Sequence, residues 1–456
     1  MKRGVVVPAI DQPEQPVPPA PVAAMRPGYG RWMLGLLTAA TALNMLDRRI
    51  INILAEPVKH ELGLSDAQLG ALTGLAFALL YCTAALPIAR LADRGDRVRI
   101  LGVAVFAWSA FTALSGAGAN FIQLFLCRIG VGVGEAGCAP PAQSLIVDQF
   151  PPERRASALA IFMSGSSIGG AVGLILGGLL GDLIGWRWTL VCAGVPGLFV
   201  GLLVLLTLKD PRRNVLPSAR PKQAPMMQVL GLLLRRPSFV LVSLAFGAIG
   251  FVGYTTAAFA GSFYMRSHTS ELAQLSASLG LSPLALIGLG LGLFGAIGGA
   301  AGSICGGLLG DRMGGRDVRA LTMIPAVGML LATISYAAMF TVESATMSLL
   351  LSAFAAFFLA LFGGPGSLAL QQVAGQHARA TALAVTTFIA SGIGLGIGPL
   401  ATGLVSDAMA PRLGEAEGLR AAILIGLSVG LAGAACFAAA GRTLARDIAE
   451  ANGPEH

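Results

Sequence analysis

From residue 31 to residue 445 the chain is a series of apolar runs, each roughly 20 residues long and separated by short polar breaks. A run of that length crosses the hydrocarbon core of a bilayer as one helix. The spacing predicts an all-α membrane protein of twelve transmembrane helices, arranged as two six-helix bundles. The helices are expected near 31–57, 66–91, 98–118, 121–147, 155–182 and 187–208, then near 237–265, 282–311, 318–340, 345–372, 379–408 and 420–445. Composition agrees: only 12% of residues are charged, against about 25% in a soluble domain. The 61 glycines suit close helix packing in lipid. The formal net charge of +8 does not point to nucleic acid, because the basic residues lie between the apolar runs.

Residues 1–30 are Pro-rich and read as a disordered cytoplasmic tail. Residues 31–208 form the first bundle, 209–236 a basic cytoplasmic linker, 237–445 the second bundle and 446–456 a cytoplasmic tail. Lys and Arg set the orientation. With the amino terminus inside, the basic residues left outside are Lys59, Arg187, Arg266, Arg412 and Arg420, and the opposite orientation would reverse that bias. Both termini are therefore expected in the cytoplasm, with the protein in a bacterial inner membrane. The six cysteines lie in apolar stretches without a CxxC pair, and the four histidines are scattered. Neither a metal site nor a cofactor is expected.

An internal repeat supports two halves. Ala89-Arg-Leu-Ala-Asp93-Arg94-Gly-Asp96-Arg97 follows the second apolar run, and Gly307-Leu-Leu-Gly-Asp311-Arg312-Met-Gly314-Gly-Arg316 follows the eighth. Arg155-Ala-Ser-Ala and Arg379-Ala-Thr-Ala open helices 5 and 11 in the same way. These loops resemble the G-x-x-x-D-R-x-G-R signature of the major facilitator superfamily of secondary transporters, with Ala89 and Asp96 departing from it in the first copy. Within that superfamily, Asn44-Met-Leu-Asp47-Arg48 and Arg128-Ile-Gly130-Val-Gly132-Val-Gly134-Glu135-Ala136, followed by Ile146-Val-Asp148-Gln-Phe150, resemble the Spinster branch. That resemblance implies lysolipids or sphingolipid-like amphiphiles as substrates.

Charge inside lipid is the informative feature of the spans. An unpaired Asp or Arg at a helix centre costs roughly 2.5–3.5 kcal/mol by insertion scales. Asp47, Arg48, Arg128 and Glu135 must therefore face the bundle interior or a watery cavity. Arg128 and Glu135, about two turns apart, share a helix face, and the four are expected to form one cluster. Asp47 and Glu135 are the proton-coupling candidates. Arg48 and Arg128 are candidates for binding an anionic headgroup, which guanidinium binds well. Arg49 turns roughly 100° away from Arg48, and its face stays open. The alternative is a static ion-pair network.

The C-terminal half offers no matching cluster. Tyr254, Phe354 and Phe358 are its substrate-binding candidates, the two Phe as an acyl-chain wall; lipid contact or helix packing is the plainer reading of that Phe run. The loop motifs suggest a gate. Asp93 is expected at the start of helix 11 and Arg97 on Asp148, both contacts breaking when the cytoplasmic side opens. Arg94, Asp311 and Arg312 belong to the same motifs; in the plainer reading all these charges only fix topology. Gly290-Leu-Gly292-Leu-Phe-Gly295 fits GxGxxG but follows no strand, so a dinucleotide site is not expected. No GK[ST] loop appears.

The leading expectation is a non-enzymatic, proton-coupled transporter of an amphiphile, acting as a monomer among membrane lipids by alternating access. An organic-anion or sugar-acid symporter, a multidrug exporter, a polytopic membrane enzyme and a receptor are the alternatives.

Overall fold

The computed structural model describes residues 28–210, 226–375 and 378–452. A few side chains within those ranges, Asp93 and Arg94 among them, lie outside the described residues, as do residues 211–225 of the expected linker. Every described element is helical. The first half holds α1 (Tyr29–Ile53), α2 (Ala55–Leu62), α3 (Asp66–Gly70), α4 (Ala76–Arg94), α5 (Arg97–Ser115), α6 (Phe121–Ala136), α7 (Ala139–Gln149) and α8 (Pro152–Thr207). After α9 (Met226–Leu234) come α10 (Pro237–Ser267), α11 (Thr269–Leu279), α12 (Pro283–Gly314), α13 (Ala320–Thr341), α14 (Ala345–Ala360), α15 (Gly363–Ala374), α16 (Arg379–Ile389), α17 (Gly398–Leu413) and α18 (Glu415–Asn452). Nine described helices are long and apolar enough to cross a membrane. They and the shorter apolar helices expose an outer apolar surface, with Leu183, Leu206 and Ile122 among its most exposed residues, as a lipid-facing shell requires.

Local chemistry sets the ends. Asn120, Ser282 and Ser344 each accept the N–H three residues on and start α6, α12 and α14. Asp96, the departure from the loop signature, does the same for α5 by accepting from Arg99 N–H at 3.1 Å. α8 crosses twice. Its first pass packs along α1, from Gly165 on Thr38 to Gly177 on Ile50 and Ile53. It breaks at Gly185, whose φ of 75° suits only glycine, and returns until Thr207 meets Trp32. Two π-helical segments, Ala71–Leu75 and Ala390–Ile397, interrupt the second and eleventh apolar runs. The second lies just before Pro399.

Two expected boundaries need correction. Part of the expected linker is helix α9, packed on α10 and α16, because Met226–Leu234 is apolar despite its basic flanks. The expected carboxyl-terminal tail begins as helix: α18 continues to Asn452, and Asp447 is buried, accepting the Ser238 N–H at 2.9 Å.

The halves meet asymmetrically. One face collects the ends of α4, α7, α12 and α15 and the start of α10; we call it the linker face. Away from it, Gly178 and Gly288 of the two halves sit against the carbonyls of Leu284 and Leu174, where a Cβ would not fit. Gly70 and Gly403 bring α3 and α17 equally close, against Pro399 and Asp66. Toward the linker face, Gly299, Gly307 and Gly392 have no such neighbour. There α7 packs on α1, α4, α5 and α8 of its own half, and α15 on α10, α12, α13, α16 and α18 of its own. Among the described residues, the close glycine contacts between the halves gather at the face opposite the linker face.

Candidate functional site

α1 and α6 bring four charged side chains together inside the first half. Arg48 Nε donates to Glu135 Oε2 at 2.6 Å, and the Glu135 side chain is 0% exposed. The Arg48 guanidinium lies 4.3 Å from the Phe77 ring centroid and 4.9 Å from that of Tyr81, so aromatic faces cover what the carboxylate does not. Asp47 is buried and accepts from Thr112 Oγ1 of α5 at 3.1 Å, while its Oδ1 makes no hydrogen bond. Arg128 is buried, and its Nε and Nη1 bond to no described residue. It lies within electrostatic reach of Glu135 and Asp47. Two acids and two guanidinia thus balance in charge, but only one contact between them is closed. Arg128 keeps donors for either acid.

A cavity of about 620 Å³ lies between the halves. α1 lines it with Met45 and Arg49, one turn apart, and α10 with Tyr254 and Thr256. Two expectations change here. Glu135, Arg48 and Arg128 do not line this cavity; Arg49 does, because the turn per residue that aims Arg48 at α6 aims Arg49 between the halves. Phe354 and Phe358 do not line it either. The lining residues of α14 are Ser352, Ala356, Leu359 and Ala360; Phe354 is 59% exposed on another face and Phe358 packs beside Ile324 and Leu361. Phe362, four residues on, is the phenylalanine of that run on the cavity wall. Tyr254 is on the wall as expected, and within electrostatic reach of Arg48.

The expected gate residues separate. Arg97 Nη1 donates to Asp148 Oδ2 at 2.7 Å and to Ser144 at 2.8 Å, and its Nε and Nη2 meet the Asp210 carboxylate. All these residues belong to the first half or its end. The expected Arg97–Asp148 contact is present, and Arg97 also ties Asp210 to α5 and α7. Asp311 and Arg312 are exposed at the end of α12, on the face where α4 ends.

The seal at the opposite face was not foreseen. Arg266 of α10 spans two acids of the other half: its Nε and Nη2 meet Glu56 at 2.7 and 2.8 Å, and its Nη1 and Nη2 meet Asp66 at 2.8 and 2.7 Å. Ser406 donates to Asp66 at 2.6 Å, and Asp407 accepts the N–H groups of Asp66 and Ala67, both at 2.9 Å. Lys59 reaches Asp66 at 3.0 Å and Glu415 at 3.2 Å. Lys59 and Arg266 were visible as basic residues outside the spans, but pairing over some 200 positions leaves no local signal.

A multi-pass bundle of two halves, a buried acid–arginine cluster and a cavity sealed on one side together define a membrane transporter. The family model of the Major Facilitator Superfamily matches residues 37–399, and the chain belongs to that family. An MFS-type efflux pump of Mycolicibacterium smegmatis is 32% identical over 417 residues, covering 91% of this chain and 94% of the pump. A probable L-galactonate transporter of Escherichia coli is 37% identical over 167 residues, covering 37% of each chain. The fold superposes on the crystal structure of a bacterial homologue of the human lysosomal transporter Spinster, in an inward-facing and unoccupied conformation. The TM-score is 0.81 at 31% identity, covering 93% of this chain and 99% of that one.

Proposed function

We propose that this chain is a proton-coupled secondary transporter of an amphiphile that works by alternating access as a monomer. The linker face is then the cytoplasmic face of a bacterial inner membrane, and the structure is the inward-open state. The observation that carries the reading is the closed Arg48–Glu135 contact beside the unpaired Arg128 and Asp47. Ionisable groups at membrane depth are functional by default. Neutralising Glu135 removes the charge that holds Arg48, and Arg48 lies within reach of Tyr254 on the cavity wall. A proton on the acid and a displacement at the cavity are thereby linked in both directions. Moving the halves requires contacts made in only one state, and the Arg266 seal supplies them.

A sugar-acid symporter is the second reading, favoured by the resemblance to the L-galactonate transporter and by the cation in the cavity. The test is flux in sealed liposomes with and without an imposed pH gradient. Amphiphile movement without chemical change, accelerated by the gradient, is expected. Chemical conversion would replace transport with an enzyme, and indifference to the gradient would remove proton coupling.

A further inference from the structure

Arg49 differs from the other cations of the core. Arg48, Arg97 and Arg266 are each satisfied by carboxylates, and Arg128 is closed off from solvent. Arg49 makes no hydrogen bond or ion pair with any described residue, yet it lines the cavity. Among the described lining residues it is the single charge, with no Asp or Glu beside it. Its stem lies over Gly170 and Gly173 of α8: a Cβ on Gly170 would come 3.9 Å from Arg49 Cγ, and one on Gly173 would come 3.1 Å from Arg49 Cβ. Gly173 thus clears the bed for this side chain, and Gly170 lies beside it at ordinary contact distance. Ser166 and Ser167 line the cavity near that bed, and Tyr336 lies within electrostatic reach of Arg49. An uncompensated guanidinium on a wall that also carries hydroxyl groups makes a set that an oxyanion completes.

The rest of the wall is apolar. Phe246 and Phe362 meet edge to face, with centroids 5.2 Å apart, and Ile249, Leu291, Met339 and Leu359 extend that surface. Charge on one side and hydrocarbon on the other is the complement of an anionic amphiphile. A hydrophilic anion would leave this apolar surface unsatisfied, and a neutral amphiphile would leave Arg49 desolvated without a partner.

We infer that Arg49 is the anion-binding residue of the central cavity, and that the cavity takes a single-chain anionic amphiphile with its headgroup on Arg49 and its tail along Phe246 and Phe362. The inference rests on the proposed reading that this cavity is the substrate path.

The test is equilibrium binding to the full chain in phosphatidylcholine nanodiscs. The probes are dodecyl phosphate, dodecyl maltoside with the same tail, and gluconate as an anion without a tail. Dodecyl phosphate is expected to bind most tightly. Arg49→Gln should weaken it roughly tenfold to a hundredfold, the range of a charge-assisted hydrogen bond, and leave dodecyl maltoside unchanged. Arg49→Lys should restore part of the loss, and the exposed Arg442→Gln should behave as the parent. If Arg49→Gln does not fold, Arg49→Lys carries the test through its smaller, selective loss of dodecyl phosphate. Equal binding of phosphate and maltoside, or no effect of the Arg49 variants, overturns the inference. Gluconate binding as tightly as dodecyl phosphate overturns the amphiphile and favours the sugar-acid reading. Arg49-dependent binding without flux in liposomes would sink the transport reading and leave the site standing.

Discussion

Arg48 and Arg49 are consecutive in sequence and serve different compartments. Arg48 donates to Glu135 at 2.6 Å inside the first half, and Arg49 lines the cavity between the halves. One residue of helix, about 100° of turn, divides the work of α1. Arg48 faces Glu135, and Arg49 faces the cavity.

The first consequence concerns Glu135→Gln, which keeps the shape and removes the titratable group. Gradient-driven uptake should fall at least tenfold while dodecyl phosphate binding changes less than threefold, both set by the linkage argument. Uptake that still responds to the gradient as the parent does would show that Glu135 is not the coupling acid. Asp47→Asn asks the same of the second acid.

Arg128→Gln should behave unlike a headgroup contact. Arg128 is buried away from the cavity, so anion binding should stay near the parent value. Its loss leaves two buried acids with one cation, and stability should fall by about 3–5 kcal/mol, the cost of uncompensating a buried charge. Thermal denaturation in detergent measures this, and a selective binding defect with an unchanged melting temperature would contradict it.

Arg97→Gln is expected to destabilise rather than to open a gate. The Arg97 bonds to Asp148 and Asp210 lie within one half. The variant should melt earlier, by about 3–5 kcal/mol of stability, with little change in the distances between halves. A large shift in those distances would return Arg97 to the gate.

Arg266→Gln should do the reverse. It removes contacts to Glu56 and Asp66 that cross between the halves, so it should populate a state open at the opposite face. Spin labels at Leu183→Cys and Leu279→Cys, in a background without native cysteines, should show a longer distance population. An unchanged distribution would mean that the glycine contacts alone hold that face shut.

Glu271 gives a pH dependence outside the spans. Burial opposes its ionisation, but the N–H groups of Ala345 and Thr346 and the Ser344 hydroxyl outweigh burial and hold its carboxyl below the usual range. A lowered carboxylate contributes stability above its unfolded pKa and loses it as pH falls through the folded value. Glu271→Gln should therefore cost ~1 kcal/mol near pH 7, as loss of a helix cap does. The difference from the parent should vanish under acid below the ordinary carboxylate range. A gap that persists there would point to packing instead.

The amino-acid sequence by itself determined the class of fold. Apolar runs of bilayer length leave little but spanning helices, and the doubled loop motif requires two related halves. It also marked Asp47, Arg48, Arg128 and Glu135, because charge in lipid is costly wherever it falls. Only tertiary structure decided which of these meet and which side chain faces the cavity between the halves. The rotation of α1 against α6 and α8 chose Arg48 for Glu135 and Arg49 for the cavity. The twist of α14 turned Phe354 and Phe358 away, and Phe362, just beyond its end, lies on the wall. The Arg266 seal joins residues some 200 positions apart, where sequence carries no distance information. Periodicity is a local property of a helix and can be read along the chain; the angle at which two helices pack is set by every side chain between them, and appears only when they have met.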